Sequence, residues 1–207
     1  MASSINQLVE SVGLSAGRLR VTKWNSEVES SSIGIYFLST SKDPKSNLSL
    51  ITNAPIDENI LKFWIKKVPT IKVDGTPATV EKLKLRLDSF WLPDENILYI
   101  GQTKSGKGLK GRLNQYYDTE LGERKPHAGG HWIKTLKILN DLFVHYIPCQ
   151  HPEDTEKKIM RQFVSQVSES TLKKLFDPSL PLPFANLELE RGTRKNHGIS
   201  KSKLGDD

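Results

Sequence analysis

Two tyrosines, an arginine, a glutamate and an asparagine stand out by type and spacing: Tyr36, Tyr99, Arg112, Glu156 and Asn186. Hydrolysis of a phosphodiester needs a water made nucleophilic, a cation against the charge that builds on the equatorial oxygens, and help for the leaving oxygen. Arg112 supplies a forked set of donors that matches phosphate. Glu156 offers the oxygen donor that a hard divalent cation prefers. The phenols are poor bases at neutral pH, with a reference pKa near 10, so either one needs a neighbouring positive charge before it can take a proton.

These residues require elements that bring them together. Residues 33–39, IGIYFLS, are β-branched and aromatic and follow two serines, so they read as a strand, and ENILYIGQT supplies a second strand over residues 97–102. In LKGRLNQYY, Leu109, Leu113 and Tyr116 recur at helical spacing, which predicts a helix carrying Arg112. HWIKTLKIL reads as another helix and LFVHYIPC as a third strand. The run EDTEKKIMRQFVSQV is the most regular helix, with Ile159, Phe163 and Val167 as its buried stripe and Glu156 one turn before Ile159.

Between residues 42 and 95 the pattern is mixed. NAPIDENILKFWIKKV predicts a helix with Ile60, Phe63, Trp64 and Val68 on one face. TIKVDG reads as a strand ending in an Asp-Gly turn. In TPATVEKLKLRLDSFW, Thr76 is the expected N-cap and Pro77 the first helical residue. The first 30 residues read as an amphipathic helix and a short strand in a polar extension.

Composition sets the outer limits. A chain of 207 residues fits one substantial α/β domain, and a charge of +6, from 30 Lys and Arg against 24 Asp and Glu, favours a phosphate-bearing partner without establishing one. The single cysteine, Cys149, excludes an internal disulfide and reads as a structural thiol. No apolar stretch approaches the roughly 20 residues that cross a bilayer, so no membrane is expected and the expected compartment is the cytoplasm.

The tripeptides Gly34-Ile35-Tyr36 and Tyr99-Ile100-Gly101, the Arg112 helix, Glu156 and Asn186 in PFAN together resemble the GIY-YIG endonuclease family, in the family's order along the chain. The resemblance implies an α+β fold with a small three-stranded antiparallel core sheet flanked by helices. It spans residues 31–189, with 1–30 as an extension, 42–95 as a large insertion between the first two core strands, and 190–207 as a basic tail. It also implies hydrolysis of double-stranded DNA with one Mg²⁺, or Mn²⁺ in its place, held by Glu156. Tyr36 and Tyr99 would flank the water and the scissile phosphate, Arg112 would stabilise the phosphate charge, and Asn186 would anchor the closing loop. Many family nucleases carry His four residues after the arginine; Tyr116 stands there, as in the family's excision-repair nucleases.

Other basic residues are expected at the nucleic acid. Lys104 and Lys107 lie in the loop after Tyr99, whose backbone donors could also reach phosphate, and Lys110 follows on the helix. His127 and His131 flank a Gly-rich turn and could approach the site from PHAGGHW. Arg191, Arg194 and Lys195 open the tail, which is either a solvated end or a segment lying along the DNA backbone. A restriction or genome-defence role implies a homodimer that reads a palindrome. A structure-specific repair nuclease and a noncatalytic nucleic-acid-binding protein are the alternatives, and the insertion reads as substrate recognition, dimer contact or inert elaboration.

Overall fold

The computed structural model describes residues 3–123 and 128–201, and His127 lies outside the described residues. Strands β1 (Arg20–Lys23), β2 (Gly34–Ser39), β5 (Ile97–Thr103) and β6 (Phe143–Pro148) form an antiparallel sheet in the order β1-β6-β2-β5. The fold is thus mixed α/β with antiparallel sheets. The expected three core strands are present, and a fourth, β1, comes from the N-terminal extension. Its edge pairing with β6, Arg20 opposite Tyr146 through Lys23 opposite Phe143, depends on a distant partner that no local pattern announces.

Alternation along β2 divides the interior. Ile35 and Phe37 face one layer, where helix α1 (Ile5–Ser11) and helix α5 (Pro152–Gln166) contribute Leu8, Ile159 and Phe163. Tyr36 and Leu38 face the other, together with Tyr99 and with Leu109, Leu113 and Tyr116 of helix α4 (Gly108–Asp118). That second layer is completed by the insertion, whose helices α2 (Glu58–Lys67) and α3 (Val80–Asp88) bury Leu61, Trp64, Leu83 and Leu87. The insertion is therefore part of the core.

Within it, strands β3 (Ile71–Val73) and β4 (Thr76–Pro77) form a hairpin whose turn residues Asp74 and Gly75 have φ of 50° and 74°. Two consecutive left-handed residues give the twist that suits a two-residue hairpin, as the Asp-Gly pair predicts. The expected cap is displaced by one turn. Thr76 and Pro77 belong to β4, and Thr79 caps α3, its side chain accepting from Lys82 N at 3.1 Å. On α2 the buried pair is Leu61 and Trp64, whereas Phe63 is half exposed.

Residues 128–135 form a 3-10 stretch where an α-helix was expected. Its end serves the insertion instead of an α-helical ladder: Thr135 O accepts from Asp57 N at 2.8 Å, and Lys137 N donates to Pro55 O at 2.8 Å. Helix α6 (Glu169–Leu172) follows α5 and leads to the closing segment. The basic tail is neither a free end nor an arm through residue 201. Strands β7 (Glu188–Glu190) and β8 (Thr193–Arg194) form a hairpin, and β9 (Ile199–Lys201) adds to β3, giving the insertion sheet the third strand it lacks.

Candidate active site

The two tripeptides meet in adjacent strands. Tyr36 stands opposite Gly101, and Leu38 opposite Tyr99, so both tyrosines project from the same face with ring centroids 5.9 Å apart. Gly101 makes this arrangement possible. A Cβ at that position would sit 2.6 Å from the Tyr36 hydroxyl and 2.7 Å from Cε1 of Tyr99, a separation only a missing side chain allows.

Helix α4 is set by a second close approach. Gly108 has φ of 59°, and a side chain there would collide with the Ser31 carbonyl. Leu109 N and Lys110 N donate to Ser32 O and Ser30 O at 2.9 and 2.8 Å, tying the start of α4 to the residues before β2. Gly108 N donates to Ser105 O and Lys107 N to Ser105 Oγ. The loop after β5 therefore uses these two backbone donors internally.

Arg112 and Glu156 approach the tyrosines from helices on opposite faces of the sheet. The strand β5 lies at the sheet edge, with α4 and α5 both packed against it, and Lys104 after β5 pairs with Glu153 on α5 at 2.7 Å. Around that edge the Arg112 guanidinium is close enough to stabilise the ionised forms of Glu156, Tyr36, Tyr99 and Tyr116. With Arg112, these residues form one electrostatic cluster of five.

Burial nevertheless dominates each titration. It pushes the Glu156 carboxyl up to about 7 against the pull of Arg112, with Glu153 adding to the rise and Lys157 opposing it. It pushes Tyr99 up to about 12, with Glu156 raising it further and Arg112 opposing. Tyr36 is held well above the usual phenol range, first by burial and then by Tyr99. The help expected from Arg112 is thus outweighed, and in the free protein both phenols stay protonated at neutral pH. Glu156 is the member of the cluster whose proton changes there.

The Tyr36 hydroxyl is buried without a hydrogen-bond partner of ordinary geometry. The Glu156 carboxylate likewise makes no hydrogen bond or ion pair among the described residues, so its oxygens remain available to a ligand. No group of three or more His, Cys, Asp and Glu that could hold a metal occurs among the described residues. A lone half-buried carboxylate beside a phosphate-matching arginine does not suit zinc, which takes several protein ligands. It does suit Mg²⁺, which keeps most of its waters and takes its remaining ligands from substrate phosphate.

Asn186 and Tyr116 are both held by backbone partners. Asn186 is buried, its Oδ1 accepting from Ile100 N at 2.9 Å and its Nδ2 donating to Ile100 O at 2.7 Å. With Ala185 N donating to Leu98 O, the closing segment runs along the free edge of β5 like a strand, and Asn186 positions Tyr99 instead of meeting a phosphate. Tyr116 is fully buried and donates its hydroxyl to Gly130 O at 2.7 Å; its ring backs that of Tyr99 at 5.4 Å.

The outer basic residues divide. Lys107, Arg191 and Arg194 are exposed, as a phosphate contact requires. Lys104 is exposed and Lys110 half-buried, and both are paired, with Glu153 at 2.7 Å and with Glu27 at 2.6 Å. Lys195 is a correction: it is 4% exposed, and its Nζ donates to Pro183 O and Phe184 O at 3.1 and 3.2 Å beneath the Phe90 and Trp132 rings. His131 is also buried and lines a pocket with Trp64 and His197 whose lining includes neither the clustered tyrosines nor Arg112 nor Glu156.

Sequence reasoning missed the second edge of the site. Trp24 stacks edge-on against Tyr116 at 5.3 Å, and Gly130 supplies the carbonyl that holds the same phenol. Neither had a signal, because each acts through a partner remote along the chain. No family model matches this chain, and no curated protein or solved structure matches it. No helix among the described residues is long and apolar enough to cross a membrane.

Proposed function

We propose that this chain is a divalent-metal-dependent endonuclease of the GIY-YIG kind that hydrolyses phosphodiester bonds of double-stranded DNA. One observation carries the reading: a guanidinium and a carboxylate from helices on opposite sheet faces act on the same pair of buried tyrosines. A packed core has no need to bring those two charges to that spot, and burying charge is unfavourable unless it is paired or used.

In this reading Arg112 binds the scissile phosphate and neutralises the charge that grows on its oxygens. Glu156 holds Mg²⁺, with Mn²⁺ as a substitute, through one carboxylate. What the cation supplies when bound is neutralisation of phosphate charge and a more acidic water. Tyr36 and Tyr99 orient the attacking water by hydrogen bonding as neutral phenols. Lys107, Arg191 and Arg194 add the sequence-independent phosphate attraction.

The test is incubation of the wild type and Glu156→Ala with mixed genomic DNA in Mg²⁺, followed by sequencing of the new ends. Cleavage by the wild type alone supports the reading, and a shared end sequence identifies a restriction-type specificity. Ends confined to nicks or branched junctions would assign it to repair. Tight binding without cleavage by the wild type in Mg²⁺ and in Mn²⁺ would remove the catalytic reading in favour of a binding protein.

A further inference from the structure

A second feature lies one residue from the tyrosine cluster. Beyond Gly130, whose carbonyl holds Tyr116, the chain enters a pocket of about 280 Å³ with Trp64, His131, Trp132 and His197 in its lining. Its walls come from four separated stretches: α2 of the insertion, Glu123 after α4, the 3-10 stretch around Gly130, and the C-terminal return that ends in β9. Trp64 and His131 are 3% and 5% exposed, and Trp64 Nε1 and His131 Nε2 are both buried without a hydrogen-bond partner. Two buried ring nitrogens lacking partners at one pocket call for a ligand with complementary polar atoms.

The chemistry of the lining selects the ligand class. Burial holds His131 and His197 down to about 4, so both rings are neutral at neutral pH. His197 Nδ1 accepts from Ile199 N at 3.0 Å, which leaves the proton of the neutral ring on Nε2 as a donor. Trp64 Nε1 is a donor only. The charged members of the lining, Glu123 and Lys201, are exposed, and Lys201 Nζ donates to Gly122 O at 3.0 Å, whereas the buried part is neutral nitrogen and indole, which suits an uncharged, planar, polar heterocycle better than a phosphate. At about 280 Å³ the cavity has room for a ring system the size of a nucleobase.

We propose that this pocket receives a single nucleobase turned out of its strand, stacked against Trp132 and read by Trp64 and His131. Turning out a base for inspection uses this combination of an aromatic wall and edge-reading hydrogen bonds. The insertion thereby becomes the element that couples base recognition to the site, through Gly130, Tyr116 and Tyr99. The proposal rests on the nuclease reading for its polymer, but base binding is measurable without cleavage.

The experiment is equilibrium binding of each of the four deoxynucleosides to the full chain, followed by ligand-detected NMR, with deoxyribose 5-phosphate as a base-free competitor. Saturable binding of at least one deoxynucleoside is expected, with no displacement by the competitor. Trp64→Phe keeps a ring and loses the N–H, and should weaken binding roughly tenfold, the scale of one buried hydrogen bond. Ser200→Trp places bulk at an exposed residue of the pocket rim and should abolish binding with unchanged melting temperature. Absence of binding by the folded wild type, equal binding by both variants, or displacement by deoxyribose phosphate overturns the proposal. Base binding by a chain that cuts no DNA supports the pocket and removes the nuclease; cleavage by a chain that binds no nucleoside does the reverse.

Discussion

The Tyr36 ring lies across Gly101 of the neighbouring strand, its hydroxyl 2.6 Å from where a Cβ of residue 101 would be. The two halves of the motif are therefore one packing unit: a tyrosine on β2 occupies space vacated by a glycine on β5, and Tyr99 closes the other side of that space. Gly101→Ala should displace a ring that core packing holds in place, with a loss of about 1–3 kcal/mol, the usual scale of overpacking. Denaturant unfolding measures that loss, and an unchanged midpoint would show that the rings yield without strain.

Tyr36→Phe separates stability from activity. Its hydroxyl is buried without a good partner, so removing it lifts a desolvation cost, and the melting temperature should stay level or rise. If the phenol orients the attacking water, cleavage should fall by about 10²-fold or more in the same variant. Thermal melts and initial cleavage rates check the two halves independently, and activity within about tenfold of wild type would release Tyr36 from the chemistry.

On the proposed reading, Glu156 should make stability and cleavage respond to pH in opposite directions. Its folded value of about 7 stands above the ordinary 4.5, so the folded chain keeps a proton that the unfolded chain gives up between these values. The contribution to stability is complete below pH 4.5 and is lost as pH rises through about 7 in metal-free buffer. Cleavage should instead rise over that range as the carboxylate forms. Melting temperatures in a chelator should show the decline in wild type, and Glu156→Gln should flatten it.

Lys195 gives the opposite slope. Burial holds its ammonium down to about 7 from 10.5, so the unfolded chain binds the extra proton between those values and stability rises with pH across them. Lys195→Met should reduce that slope and leave the salt dependence of DNA affinity unaltered, because the side chain faces Pro183, Phe184 and Trp132 instead of solvent. A lowered salt slope in a folded Lys195→Met chain would return this residue to the DNA surface.

Asn186→Ala should act through position. It strips both backbone partners from Ile100, leaving a buried N–H and C=O, at about 1–3 kcal/mol for each unsatisfied group. The measurable consequence is a lower unfolding midpoint together with slower cleavage. A cleavage defect of more than about 10²-fold with an unchanged midpoint would instead indicate direct chemistry.

Strands β2, β3, β5 and β6 and helices α2, α3, α4 and α5 were legible in the chain because alternation and helical spacing are local properties of a sequence. The Asp74-Gly75 turn was legible for a related reason, since it needs only its own two backbone conformations. Tertiary structure alone decided the rest. The partner of β1, the addition of β9 to β3, and the engagement of Asn186 with Ile100 each join residues far apart along the chain. Whether a tyrosine is neutral, a carboxyl titrates near 7 or a lysine is hidden from solvent depends on the segments packed around it. Those surroundings exist only once separated segments have packed, whereas a run of side chains carries its periodicity before it folds.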